Sequence, residues 1–181
     1  MNKYLDAEKA LEVVLYVLGS TTDLFHIVKT LYFADKMHLE KYGTLMTGDY
    51  YVAMPDGPVP SGAYDLIKYA RGDNFAYEKK ISDVRPDKAL EVKGKNKDVV
   101  RRLRDPNLDY LSESDKVCLD MAIERYATMD WRELWNIVHA EESYKKAKSQ
   151  KPETKNTPIP LKDIIMLDVP NGADVMQYLE S

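Results

Sequence analysis

Two helical stripes of apolar residues, separated by a very short connection, constrain the fold more than any other feature of this sequence. The first stripe lies in Leu5–Leu18, with apolar residues at positions i, i+4, i+7 and i+11, and ends before Gly19. The second starts after a cap at Thr22 or Asp23 and extends to about Lys41, before Gly43. Because only about four residues connect the two helices, we expect them to pack as an antiparallel pair.

The segment after Gly43 changes character and predicts a small β element. Alternating side chains over Tyr50–Met54 predict a strand, and the prolines in Pro55–Pro60 predict a fixed turn. Ser61 is then expected to cap a third helix that ends near Arg71. Beyond it we expect a charged hairpin, formed by strands at Phe75–Ile81 and Ala89–Lys93, and a short basic helix at 96–104.

Three further segments complete the predicted elements. Ser112 and Asp130 are good N-caps for helices that extend to Ala127 and to about Lys148. A loop is expected over Lys151–Pro160, a strand or helical turn over Leu161–Leu167, and a last short helix over Ala173–Leu179. These elements predict a mainly α-helical α+β fold: a compact helical domain over residues 1–150 with a small antiparallel β element. Residues 151–181 form a C-terminal tail that packs on this domain or extends from it.

Composition excludes several classes of protein. The 181 residues include one cysteine, so no internal disulfide framework is available. The longest apolar run, Val13–Leu18, is far shorter than a membrane-spanning helix requires, and the first residues do not resemble a signal peptide. We therefore expect a cytoplasmic protein that is not bound to a membrane.

Charge is unevenly distributed along the chain. Residues 79–104 carry ten Lys and Arg against four Asp and Glu, and residues 145–155 carry five Lys against one Glu, although the whole chain has a net charge of −4. Such segments are usually solvated, but they also allow a DNA-binding autorepressor. Few aromatic residues accompany the basic ones, and the pI is about 5.5, so nucleic acid is disfavoured as a partner.

The usual catalytic patterns are missing from the sequence. Cys118 lies among apolar residues of a helix, where a thiol is inert, and Ser61 and Ser112 are explained as helix caps. Gly57 stands alone beside two prolines that lack amide donors, so it does not form a phosphate cradle. No cofactor is therefore predicted.

Histidine and carboxylate pairs leave a metal site open as an alternative. Asp35 and His38 share one helix face, and His139 and Glu142 have the same i, i+3 spacing. Such pairs could tie helices together, or could form the site of a metal-dependent hydrolase built on Asp35, His38 and His139. The chain lacks an HExxH motif, which favours the structural interpretation.

Aromatic residues mark a candidate interface. Tyrosines cluster around the proline turn, and Tyr50 and Tyr51 must face opposite sides of their strand, so one of them is expected outside the core. Trp131 and Trp135 lie four residues apart on one helix, and we expect both to be largely buried.

Ordered motifs give the chain a resemblance to a known family. The signature is an L-Y-x-A-D-x-x-H-L-x-x-Y-G run at Leu31–Gly43, and further motifs follow in the family's order. They are Thr47-Gly48-Asp49, Tyr51–Met54, Gly57-Pro58-Val59-Pro60, Tyr64-Asp65-Leu66, Leu111–Asp115 and Leu134–Tyr144. In the last motif His139 and Glu141 match, but Ser143 and Tyr144 replace Pro and Trp. This pattern resembles the Panacea domain family of SocA-like antitoxins, also known as phage-associated GepA-like proteins.

The resemblance implies an antitoxin that neutralises a cognate protein toxin by direct stoichiometric binding, with no enzymatic activity. Self-association is left open. In this interpretation the motif residues support the scaffold: Tyr32, Asp35, His38, Gly48, Gly57, Pro58, Val59, Pro60, His139 and Glu141. Asp35 and His38 are expected to brace the second helix against the Gly57–Pro60 turn. Contacts to the partner are expected from Tyr51, Met54, Asp56 and Tyr64, from the variable segment 75–104, or from the C-terminal tail.

Overall fold

The computed structural model describes residues 4–181 and is mainly helical. The helices are α1 (Ala7–Val17), α2 (Leu24–Tyr42), α3 (Ser61–Arg71), α4 (Lys79–Asp83), α5 (Pro86–Ala89), α6 (Glu113–Tyr126), α7 (Trp131–Ala140), α8 (Glu142–Gln150), α9 (Leu161–Asp168) and α10 (Gly172–Glu180). The strands are β1 (Tyr51–Met54), β2 (Gly57–Pro60), β3 (Leu90–Lys93), β4 (Val99–Arg102) and β5 (Thr157–Ile159). The predicted mainly α-helical α+β class is confirmed. None of the helices in the described part of the chain is long and apolar enough to span a membrane.

Helix α2 forms the centre of the structure. Asp23 caps it by accepting a hydrogen bond from the His26 amide at 3.0 Å, and Gly43 ends it in the left-handed conformation with φ of +70°. Its most extensive contacts are with α6, and it also packs on α1 and β2. The core surrounds the buried side chains that α2 presents on several faces.

A three-stranded antiparallel sheet packs against α2, α7 and α8, in the order β2-β1-β5. Met54 pairs with Gly57, so only Pro55 and Asp56 form the turn, and the predicted Pro55–Pro60 turn is corrected to a hairpin. Strand β2 lies at an edge, where Pro58 and Pro60 break no ladder hydrogen bonds. The predicted loop over 151–160 likewise contains β5, which pairs with β1.

Residues 75–104 differ most from the prediction. The hairpin is formed by β3 and β4, while the expected strand at 75–81 overlaps α4 and the expected basic helix at 96–104 overlaps β4. Gly94 and Lys97 adopt positive φ angles of +94° and +54°, which form the turn between the two strands. The Val100 amide also donates to the Thr22 carbonyl at 2.8 Å, so pairing with a distant segment fixes the extended form of β4.

The predicted long helix after Asp130 is broken at Glu141. Backbone angles of −58° and 126° at Glu141 end α7 and start α8. Asp168, at the end of α9, accepts hydrogen bonds from the Glu142 and Ser143 amides at 2.7 and 3.0 Å and so caps α8. Residues of the predicted tail thus contact the helical domain directly, while the boundary at residue 150 stays a prediction.

Candidate protein-binding surface

The Pro55–Asp56 turn of the β1–β2 hairpin is held in place from three helices. Lys29 of α2 donates from Nζ to the Pro58 carbonyl at 2.9 Å. His139 of α7 places Nε2 3.0 Å from the Pro55 carbonyl, and Tyr144 of α8 donates from its hydroxyl to the Met54 carbonyl at 2.9 Å. Because these bonds reach backbone carbonyls on both strands, the turn has a fixed position on the surface.

Lys29 is the least expected residue of this arrangement. Its side chain is 1% exposed, and Nζ lies 5.3 Å from the centre of the Phe25 ring. Burial lowers the pKa of Lys29 to about 7, against the opposing effect of the Asp56 charge. Lys29 is not among the residues predicted from the sequence, although a lysine four residues from both Phe25 and Phe33 on a helix is a signal that it faces apolar side chains.

Gly57 is the glycine that the hairpin requires. Its φ is +104°, and a Cβ there would lie 2.8 Å from Val138 Cγ2 and 3.3 Å from Lys29 Nζ. The motif glycine therefore permits both the turn conformation and the close approach of α7.

Asp35 and Tyr51 form a buried pair behind the hairpin. The Tyr51 hydroxyl donates to Asp35, which also accepts a hydrogen bond from the Met46 amide at 2.9 Å. Burial raises the pKa of Asp35, although the bonds from Tyr51 and Met46 oppose this effect. Tyr51 is only 2% exposed, so its expected role as a partner contact is wrong. Of the two neighbouring tyrosines, Tyr50 is the one that is exposed.

His38 holds a different loop from the one expected. Its Nδ1 lies 2.7 Å from the Thr44 carbonyl, and Nε2 faces Ser114 Oγ at 3.3 Å and Asp115 at 3.5 Å. Neither His38 nor Asp35 contacts the Gly57–Pro60 strand through these bonds. The expected brace of α2 against that segment is instead made by Lys29, because His38 lies farther along α2, next to the start of α6.

Asp49 of the Thr47-Gly48-Asp49 motif caps α3 in place of the predicted Ser61. Its carboxylate accepts hydrogen bonds from the Gly62 and Ala63 amides at 2.7 and 2.9 Å. Burial raises the pKa of Asp49 to about 7, despite these bonds. Gly48, with φ of +67°, permits the turn that directs Asp49 towards the helix.

Glu141 ties α2 to the break between α7 and α8. It accepts hydrogen bonds from the Tyr32 hydroxyl at 2.8 Å and from Lys36 Nζ at 2.5 Å. Burial raises the pKa of Glu141, and Lys36 opposes this effect. Glu141 and His139 therefore connect the end of α7 to α2 and to the hairpin.

Two grooves flank the fixed hairpin and share three lining side chains, Met54 and Val59 of the hairpin and Tyr64 of α3. The groove on the α2 side, called here the Trp131 groove, has a volume of about 330 Å³. Its lining residues are Asp23, Leu24, Phe25, Val28, Lys29, Met54, Pro55, Asp56, Val59, Tyr64, Asp98 and Trp131. The groove on the α3 side, called here the Phe75 groove, has a volume of about 480 Å³. Three predicted contact residues, Met54, Asp56 and Tyr64, thus lie together on one surface.

Exposed aromatic side chains extend this surface along α7. Trp131 is 49% exposed, so the prediction that both tryptophans are largely buried is wrong for it. Its indole lies 5.4 Å from the Phe25 ring and 6.4 Å from Trp135, which stacks on His139 at 3.6 Å. Trp131 occupies the first position of α7, so part of its indole is exposed at the helix end.

The residues of the metal-hydrolase alternative do not form one site. His38 faces Thr44 and Ser114, whereas His139 lies between the carbonyls of Trp135 and Pro55. Within residues 4–181 no group of three or more His, Cys, Asp or Glu side chains is arranged to hold a metal ion. The Cys118 thiol is buried, and burial raises its pKa to about 11, so it is a poor nucleophile at neutral pH.

Some cations of the basic segment 79–104 are paired with carboxylates of the segment, with Asp105 or with Glu12 of α1. Salt-bridge distances to Asp or Glu are found for Lys79, Arg85, Lys93, Arg102 and Arg104. Arg104 binds Glu12 of α1 through both terminal nitrogens, at 2.9 and 2.6 Å. These pairs reduce the positive charge that the segment can offer to a phosphate backbone.

Comparison with known protein families gives a match. No curated protein and no solved structure is significantly similar to the chain. The sequence profile of the family described as "Antitoxin SocA-like, Panacea domain" matches residues 27–145. This range contains the hairpin, the side chains that hold it and most of the surface described above. The match covers well over half of the chain, which therefore belongs to the SocA-like antitoxin family defined by the Panacea domain.

Proposed function

We propose that this protein neutralises a cognate protein toxin by stoichiometric binding through the surface around the β1–β2 hairpin. The observation that carries this proposal is the division between buried and exposed residues in the hairpin region. The hairpin backbone is held by hydrogen bonds from Lys29, His139 and Tyr144. At the surface of the same hairpin, Asp56 is exposed and Met54 is half-buried. Membership of an antitoxin family supplies the class of partner.

A fixed turn favours tight binding of a partner. Docking onto a mobile loop costs conformational entropy, and a turn already held by three helices avoids most of that cost. Half-buried aromatic and methionine side chains next to it, such as Tyr64 and Met54, are typical of the centres of protein interfaces. We propose that binding alone is sufficient, without catalytic turnover, and that it takes place in the cytoplasm.

Co-expression with the product of the adjacent reading frame tests this function. We expect the wild-type chain to restore growth and to co-purify with that product in a fixed ratio. Replacing Asp56 by Lys and Tyr64 by Ala should abolish both effects together. Asp174→Lys is the matched control, because Asp174 is exposed on α10 and its side chain makes no bond in the described structure.

Two results would contradict the proposal. Rescue at strongly substoichiometric levels, with no detectable complex, would indicate an enzymatic activity or an action on the transcript. Rescue and co-purification that survive the double substitution would place the binding surface elsewhere on the protein.

A further inference from the structure

The Trp131 groove has an apolar wall and an excess of negative charge. Phe25 and Trp131 form the wall, and three carboxylates line the groove: Asp23, Asp56 and Asp98. Asp23 is already bound to His26 Nδ1 at 2.6 Å. Among residues 4–181, no Lys, Arg or His lies within salt-bridge distance of Asp56 or Asp98, so two carboxylates at the groove have no cationic partner.

Lys29 forms no salt bridge with these carboxylates, and the charge of Asp56 acts on it only from a longer distance. It is the cation among the lining residues, but its side chain is buried and its Nζ donates to the Pro58 carbonyl. It therefore does not occupy the outer part of the groove. The Phe75 groove offers a contrast, because its carboxylates Asp65 and Glu78 are paired with Lys68 at 2.5 Å and with Lys80 at 3.5 Å. Uncompensated negative charge beside an exposed aromatic ring thus distinguishes the Trp131 groove.

We infer that the Trp131 groove receives an arginine side chain of the partner protein, flanked by apolar residues. This inference rests on the proposed function and names the chemistry that the binding surface recognises. A planar guanidinium can stack on the exposed indole of Trp131 while it donates hydrogen bonds to Asp56 and Asp98. An ammonium group lacks this combination of flat faces and forked donors, which favours arginine over lysine.

The size of the groove fits a short segment of chain. A volume of about 330 Å³ lies at the small end of the range for binding pockets, roughly 300–1,000 Å³. Apolar lining from Leu24, Val28 and Met54 can cover the residues next to the arginine. Removal of these apolar surfaces from water strengthens the charge pairs at the groove.

Peptide binding tests the inference without any toxin. The probes are Ac-Leu-Arg-Leu-NH₂ and the same peptide with citrulline, which has nearly the same shape but no charge. Binding to the full-length protein is followed by NMR through the indole N–H signal of Trp131, assigned with a Trp131→Phe variant. We expect a saturable shift with the arginine peptide and a binding at least about fivefold weaker with citrulline, the scale of a partly exposed charge pair.

Substitutions then identify the groups that hold the arginine. Asp56→Asn and Asp98→Asn should each weaken the arginine peptide about two- to fivefold and leave the citrulline peptide unchanged. Asp174→Asn removes one negative charge on α10 and should change the binding of neither peptide. The absence of a saturable shift, equal binding of the two peptides, or equal binding to wild type and to the Asp56/Asp98 double variant would overturn the inference.

Binding to the product of the adjacent reading frame separates this inference from the proposed function. If the wild-type chain forms no complex with that product, the proposed function fails, and the peptide measurements still decide the inference. If the complex forms but the Asp56/Asp98 double variant binds with unchanged Kd and salt dependence, the inference fails and the proposed function stands. A Kd raised at least about tenfold, with a weaker salt dependence, is the result expected.

Discussion

Replacement of Lys29 by Met should make the protein more stable at neutral pH and should remove a pH dependence from its unfolding. The ammonium group of Lys29 is buried among apolar side chains with one carbonyl as its hydrogen-bond partner. Burial lowers its pKa from 10.5 to about 7. Below pH 7 the residue is charged in both states, so the folded protein bears the full cost of burying that charge.

The magnitude follows from the pKa difference. Between pH 7 and 10.5 the unfolded chain keeps a proton on Lys29 that the folded chain has lost, so stability rises with pH by about 1.4 kcal/mol per unit. The burial of the charge thus costs about 5 kcal/mol at neutral pH and below. Lys29→Met removes this cost but leaves the Pro58 carbonyl without its donor, a loss of about 1–3 kcal/mol. We expect the variant to be about 2–4 kcal/mol more stable at about pH 6.5 and to lose that advantage by about pH 9.5.

Urea unfolding of both proteins across this pH range is the assay. All other titrating groups are common to the two proteins and cancel in the difference between their free energies of unfolding. That difference should change by about 3 kcal/mol between about pH 6.5 and 9.5. Lys41→Met is the control, because Lys41 lies near the end of the same helix with an exposed side chain. A Lys29 difference that does not change with pH would refute the assignment of a buried, shifted lysine.

Three further predictions concern the hairpin and the groove. Gly57→Ala should destabilise the protein by more than about 1 kcal/mol and by more than Gly72→Ala, as thermal melts of the two variants can show. Both glycines have a positive φ, but of the two only Gly57 has neighbours that a Cβ would contact. Tyr51→Phe should cost about 1–3 kcal/mol in urea unfolding by removing a buried donor from a carboxylate, and Tyr50→Phe, at a position 42% exposed, should cost nothing measurable. Acrylamide should quench the fluorescence of wild type more than that of Trp131→Phe, since Trp131 contributes the more exposed indole; equal quenching would indicate that it is buried.

The helices could be predicted where local signals determine them. The caps at Asp23, Ser112 and Asp130 and the stop at Gly43 are all present, because each acts within one turn of its helix. The elements predicted for the charged segments 75–81 and 96–104 are wrong, because pairing with distant residues decides the structure there. Val99–Arg102 is extended because it pairs with β3 and with the residues before α2, and no local pattern carries that information.

The candidate surface could be predicted in part. Met54, Asp56 and Tyr64 lie together at the surface, and their role as partner contacts stays a prediction, whereas Tyr51 is buried. Strand alternation shows that Tyr50 and Tyr51 face opposite sides, and only the position of the Asp35 carboxylate decides which side is buried. Asp98 joins the groove through the pairing of β4, which the sequence did not predict.

The residues that hold the hairpin and the residues that line the outer part of the groove are largely different sets. Lys29, His139 and Tyr144 form hydrogen bonds to the hairpin backbone, and loss of any of them removes a bond that positions the hairpin. Asp56 and Asp98 make no side-chain hydrogen bond or salt bridge to the rest of the described structure, and Trp131 is half exposed. Substitutions at these three positions should therefore change partner binding with little change in stability. Partner binding and stability can be measured separately. A variant that loses binding but melts like wild type therefore identifies a residue that contacts the partner. A Lys29 or Tyr144 variant that loses binding does not, because the position of the hairpin has changed as well.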